Sequence, residues 1–196
     1  MGSKHLIWSV VMVSLLATNV WRVPKQNSPG GQYPEQTVFD LAPDISGKIV
    51  KRPAKIPESA LEALRDSLST GTVNCLKSMG ITPDHASASW FQASAIHLNG
   101  PNEIDLVVFP YVPNPSPTNP AGCMLPANFG LAWVLGPGVA TGRYRLLLAT
   151  GGLRLEVLNS RTNRYRDIQV GQPGRMVAYK FNGQQYQTAE RKTAAR

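Results

Sequence analysis

The spacing of apolar residues divides the chain into four stretches. Behind Lys4 and His5, residues 6–20 form one apolar run. The run has the length of a signal-peptide core and falls short of the ~20 residues that a comfortable membrane span needs. Residues 23–55 show no hydrophobic period and carry recurrent prolines, which predicts a flexible tether. Within it only Thr37–Leu41 and Ile49-Val50 are apolar enough to dock on a folded domain. Pro57 and Glu58 then suit a first helical turn, and Leu61, Leu64 and Leu68 recur at helical spacing. Gly71 ends that helix, or Val73–Leu76 continue it, before Gly80 and Pro83 stop it.

From Ser89 onward the period is two, the signature of strands. Trp90–Leu98 and Ile104–Phe109 flank a loop at 99–103. Phe129–Leu135 is apolar on both faces and reads as an interior strand. Arg143–Ala149 and Leu153–Leu158 read as a hairpin across Thr150-Gly151-Gly152. In that register Leu148 faces Leu153, Leu146 faces Leu155, and Arg145 pairs with Glu156 on the exposed face. Tyr165–Val170 is a further strand. A last hairpin joins Arg175–Phe181 to Gln184–Gln187 across Asn182-Gly183 and sets Tyr179 opposite Tyr186. The expected fold is α+β: an N-terminal helix packed on a mainly antiparallel β meander of about seven strands. The expected organisation is a signal peptide or N-terminal anchor at 1–22, a Pro-rich tether at 23–55, one β-rich domain at 56–188 and a disordered tail at 189–196.

Composition sharpens the picture at three points. The 17 Gly and 16 Pro among 196 residues demand many turns and count against a helical bundle. An export segment places the chain in an oxidising compartment, so the only two cysteines, Cys75 and Cys123, are expected to form a disulfide. The formal charge is +8, and loss of Lys4 and Arg22 with the first 22 residues lowers it to +6. Such a surface attracts anionic partners or simply keeps the chain soluble.

Three groupings bear on chemistry. His97, Asp105 and a serine such as Ser94 suggest a small envelope hydrolase, but no serine stands in a Gly-x-Ser-x-Gly elbow. His97 shares a strand face with Phe91, Ala93 and Ala95, which reads as a half-buried, hydrogen-bonded residue. Asn99, Asn102, Glu103 and Asp105 could hold calcium, although Pro101 and the few carboxylates suit a plain turn better. The long Pro-rich connection 110–128 offers Tyr111 and Val112 as anchors for a partner, stiffened towards polyproline II. Arg143, Arg145, Arg154, Arg161, Arg164 and Arg166 crowd one quarter of the chain and form a candidate basic face or a solvated strand surface. Few aromatics interleave with them, and export weighs against nucleic acid.

Three segments carry a resemblance. They are the run from Phe91 to Val108 (including Ile96-His97-Leu98-Asn99-Gly100-Pro101-Asn102-Glu103), the run from Leu155 to Ile168 (including Ser160-Arg161-Thr162-Asn163-Arg164-Tyr165-Arg166-Asp167-Ile168), and Tyr179-Lys180-Phe181-Asn182-Gly183-Gln184-Gln185-Tyr186. Together they resemble an uncharacterised group of exported bacterial proteins, in which Gly often stands where this chain has Arg164. The resemblance implies export and a β-rich domain, and implies no activity. The residues therefore favour a non-catalytic cell-envelope module that binds a protein or an anionic polymer. No cofactor or metal is expected, and contact with a membrane only through an uncleaved N-terminal segment.

Overall fold

A computed structural model describes residues 35–41, 48–113, 119–125, 129–138 and 142–189. The candidate signal segment, the first part of the expected tether (23–34), the arc at 114–118 and the tail from 190 lie outside the described residues. Nine strands form two antiparallel sheets among the described residues. One has four strands: β2 (Phe91–Ile96), β3 (Asp105–Pro110), β4 (Gly130–Pro137) and β5 (Tyr144–Gly152), in that spatial order. The other has five, in the order β1 (Val38–Asp40), β6 (Arg154–Thr162), β7 (Tyr165–Gln172), β8 (Arg175–Phe181) and β9 (Tyr186–Thr188). Two helices, α1 (Glu58–Asp66) and α2 (Thr70–Ser78), precede β2. The fold is thus mostly antiparallel β with two helices. The expectation of about seven strands undercounted because β1, three residues long, is too short to show a period, whereas β9 is the expected second arm of the last hairpin, shifted by about two residues.

Two cores explain which residues are apolar. One lies between the sheets and gathers Phe39, Leu41, Ile96, Val107, Phe109, Val134, Leu147, Leu155, Ile168, Val170 and Phe181. The other collects Ala60, Leu61 and Leu64 of α1 with Ala93, Leu106, Val108, Trp133 and Leu135 of the four-stranded sheet. That sheet is apolar on both sides because both are covered, and β4, between β3 and β5, is an interior strand as the sequence suggests.

The expected hairpin between 143–149 and 153–158 does not form. β5 pairs with β4 (Val134 with Leu148) while β6 pairs with β1 and β7 (Leu155 with Phe39 and Val170), so the two segments belong to different sheets. Gly151-Gly152 is the corner where the chain changes sheets. A Cβ on Gly152 would lie 2.5 Å from the Gly171 oxygen, so only glycine permits that approach. Leu153 then donates its N–H to the Gly171 carbonyl at 2.7 Å. Arg145 and Glu156 are consequently not a pair: Arg145 donates to the Gln184 carbonyl at 2.9 Å, and Glu156 stands 3.7 Å from Arg154. The last hairpin does form, but Phe181 faces Tyr186 and Tyr179 faces Thr188. Its loop is longer than two residues because the Asn182 Oδ1 accepts from the N–H groups of Gln184 and Gln185, both at 2.8 Å.

The helical stretch is two helices. Ser69 accepts from the Thr72 N–H and caps α2. At the far end the Gly80 N–H donates to the Lys77 carbonyl and that of Ile81 to Leu76, both at 3.0 Å, which is the Schellman closure. Cys75 of α2 and Cys123 of a 3-10 turn (Pro120–Met124) form the disulfide, with Cα atoms 5.6 Å apart. Among the described residues no helix is long and apolar enough to cross a membrane.

Part of the span read as tether belongs to the domain. Phe39, Leu41 and Val50 are buried, and Ala54 bridges to Ala93. Phe39, Leu41 and Val50 lie in the two stretches apolar enough to dock, and the β6 edge accepts the backbone of the first. Glu35 fastens the start of this segment. Its carboxylate accepts from the His97 N–H and from Arg166 at 2.7 Å.

Candidate functional site

The β7–β8 connection, Gln172-Pro173-Gly174-Arg175, turns at one end of the two-sheet body, and two open hollows meet there. On the outer face of the five-stranded sheet lies a hollow of about 770 Å3, lined by Gln169, Gln172, Arg175, Met176, Ala178 and Ala189. Around the end of the sheets lies a second, of about 430 Å3, formed by Phe129, Leu131, Gly151 and Pro173 with the same Gln172 and Arg175. Strand pairing builds the first. Arg154, Gly171 and Met176 stand side by side on β6, β7 and β8, as do Glu156, Gln169 and Ala178. Gly171 and Ala178 leave room beside longer neighbours. Across Gly171, a Cβ would be 3.4 Å from the Met176 Sδ and 3.6 Å from the Arg154 Cβ.

The shared rim is ordered by side chains. Arg175 Nε donates to Gln172 Oε1 at 2.9 Å, and the Gln172 amide donates to the Gly151 carbonyl at 3.4 Å. That chain leaves the rest of the Arg175 guanidinium turned to solvent. Met176 is 49% exposed, so apolar surface lies beside two arginines and two amides. The arrangement can bind an extended ligand with anionic groups through Arg154 and Arg175, hydrogen-bonding groups through Gln169 and Gln172, and an apolar edge against Met176 or Phe129.

The residues singled out from the sequence are dispersed. Arg154 flanks the outer hollow. Arg143 is exposed at the start of β5, and Arg164 is exposed in the β6–β7 turn. Arg166 is not a binding residue: it is 8% exposed, and its guanidinium bonds Glu35, the Leu158 carbonyl at 2.8 Å and the Val157 carbonyl at 3.2 Å. There it satisfies carbonyls freed where the β6–β7 register shifts. Val112 is likewise no partner anchor, being buried with Met124 and Ala121, while Tyr111 is half-buried and its N–H donates to the Trp90 carbonyl. The middle of the Pro-rich arc falls outside the described residues. Arg175, Gln172 and Gln169 were missed because the first two are ordinary strand-end residues, the third sits mid-strand, and their neighbours in the hollow come from other strands.

Neither chemical grouping assembles. His97 is exposed, not half-buried, with its Nδ1 2.8 Å from the Glu103 carbonyl. Asp105 is buried, but its Oδ2 accepts from the Leu98 N–H at 2.8 Å, not from His97. Ser94 is buried within β2. At the suggested calcium loop Asn99 turns its amide to donate to Glu103 at 3.1 Å, and no group of three metal-binding side chains occurs among the described residues.

Asp105 is nevertheless unusual. Its side chain is fully buried and its Oδ1 has no hydrogen-bond partner among the described residues. Gly136 leaves room for that oxygen, since a Cβ there would stand only 2.7 Å away. Burial pushes the Asp105 carboxyl up from 3.8 to about 6, opposed by the Leu98 hydrogen bond and aided by nearby Glu103. Burial also raises the Tyr144, Tyr165 and Tyr186 hydroxyls, with the Asp105 charge adding to each.

Comparison with known proteins returns no match: no family model, no curated protein and no solved structure is similar to the chain. What stands is the class of protein, a disulfide-bonded, mostly antiparallel β fold with two helices.

Proposed function

We propose that this chain is an exported cell-envelope module, of the exported bacterial group it resembles, that binds an anionic polymer without catalysis. The observation that carries the reading is the pair of adjoining hollows at the β7–β8 turn, where Arg175 lines both with Gln172, Gln169 and exposed Met176 line the outer one, and Arg154, 3.7 Å from Glu156, stands across Gly171 from Met176. Repeated anionic groups along a polymer would meet the two guanidiniums, and the amides would take its hydroxyl or carbonyl groups. The net positive charge would speed encounter. A disulfide fits an oxidising compartment, as export requires.

Binding of polyphosphate, with uncharged dextran as control, tests the reading by calorimetry at two salt concentrations. Arg154→Ala with Arg175→Ala is expected to weaken polyphosphate binding at least tenfold and to flatten its salt dependence. Unchanged binding by that variant, or equal binding of dextran, would overturn it.

A further inference from the structure

The start of β5 and α1 offer a surface of different character. β5 is the outermost strand of the four-stranded sheet, nine residues long, and Leu146 on it is 36% exposed. The Arg143 carbonyl accepts the Gly138 N–H at 2.7 Å, so antiparallel alternation turns the N–H and C=O of Tyr144 outward, away from β4. Among the described residues no strand pairs with that edge. Proteins usually blunt long edge strands or cover them.

α1 runs beside this edge and leaves a gap. Its half-buried Ser59 and Ala63 sit one turn apart with small side chains, and a hollow of about 320 Å3 opens between them and β5. Glu62 and Asp66, also one turn apart, are exposed along its helical wall. Neither takes part in an ion pair among the described residues. Arg143 lines the strand side, whereas the Arg145 guanidinium is drawn away to Gln184. The groove thus presents two carboxylates against one outward guanidinium.

We propose that the β5 edge takes an extended peptide by strand addition, with α1 as the second wall of the groove. Main-chain hydrogen bonds to Tyr144 and its neighbours supply affinity, and alternate side chains supply selectivity. The face of the peptide turned to α1 carries Lys or Arg to Glu62 and Asp66, with the aliphatic stems laid over Leu146 and Ala63. The opposite face is apolar. The occupant is therefore a strand-forming segment of alternating apolar and basic residues. This surface shares no residue with the polymer groove at the β7–β8 turn, so either reading can fail alone.

The test uses the full-length 15N-labelled protein and a blocked hexapeptide of alternating Val and Lys, compared with its Val/Glu counterpart and with a Val/Lys peptide N-methylated at alternate residues. Saturable shifts are expected at the amides of Tyr144–Leu146 and of α1. N-methylation should weaken binding at least tenfold, because it removes the donors of one peptide edge. Glu62→Lys with Asp66→Lys, both on an exposed helix face, should reverse the preference between the Lys and Glu peptides. Shifts confined to other regions, equal binding of the N-methylated peptide, or an unreversed preference would each overturn the proposal.

Discussion

Replacing Asp105 by Asn keeps an oxygen for the Leu98 N–H and removes a charge from a site buried away from solvent. The carboxyl moves from 3.8 to about 6 on folding, chiefly through burial. At about 1.4 kcal/mol per pH unit, the ionised form costs the fold about 3 kcal/mol at neutral pH. The sign follows from proton uptake. Between 3.8 and 6 the native state holds more protons than the unfolded one, so stability falls as pH rises through that window and is level above it. The wild-type domain should therefore gain stability from this group on going from pH 7.5 to pH 4.5. The substituted amide would carry an NH2 where the unpaired Oδ1 now sits, and an unpaired donor costs about 1–3 kcal/mol. The wild-type oxygen already lacks a partner, so most of the gain should survive. Asp105→Asn is expected to raise unfolding stability by about 1–3 kcal/mol at pH 7.5. Little change is expected at pH 4, and the dependence between should be flattened. Urea unfolding of both proteins across that range measures this at constant ionic strength. An Asn variant less stable at pH 7.5 with an unaltered pH slope would refute the assignment of Asp105 as a buried, strained carboxyl.

Cys75→Ser with Cys123→Ser should lose about 4 kcal/mol in the chain-entropy treatment of a loop spanning 48 residues, read as a lower urea midpoint. Two thiols labelled in the native protein would contradict the bond. Arg164 lies at φ 73° and Asn163 at φ 50°, so Arg164→Gly should stabilise by about 1 kcal/mol, and an unchanged or lower midpoint would count against strain there. Arg166→Leu removes the partner of the Val157 and Leu158 carbonyls and leaves the Glu35 carboxylate with the His97 N–H but no counter-charge, and should cost about 3 kcal/mol, measurable in the same unfolding assay.

Local pattern carried the strands whose environment is uniform along their length. The alternation in Phe91–Ile96, the double-faced apolarity of β4 and the Asn182-Gly183 punctuation all lie in covalently adjacent residues. Pairing partners were legible only where the connection is short and turn chemistry dictates it. The hairpin expected at 143–158 fails this test instructively. Leu146, Leu148, Leu153 and Leu155 match as well in a local hairpin as they do against two separate sheets. Leu153 ends 42% exposed, and Leu146 is set outward where the β4–β5 register shifts. What tips the balance is the close passage of β7 behind Gly152, where the Gly171 backbone comes from a different strand of the other sheet.

By itself the sequence determined a mostly antiparallel β chain with a helical prelude, a single cysteine pair and a basic balance, because composition and short-range periodicity act through neighbours. Tertiary structure alone decided that the strands form two sheets, and that the segment around Phe39 joins the β6 edge. It also decided that Arg166 is buried under a register shift, and that Arg154, Gln169, Arg175 and Met176 meet on one face. Each of these depends on hydrogen-bonding edges and buried surface supplied by segments far away in the chain. The free energy that selects among them exists only once those segments are together.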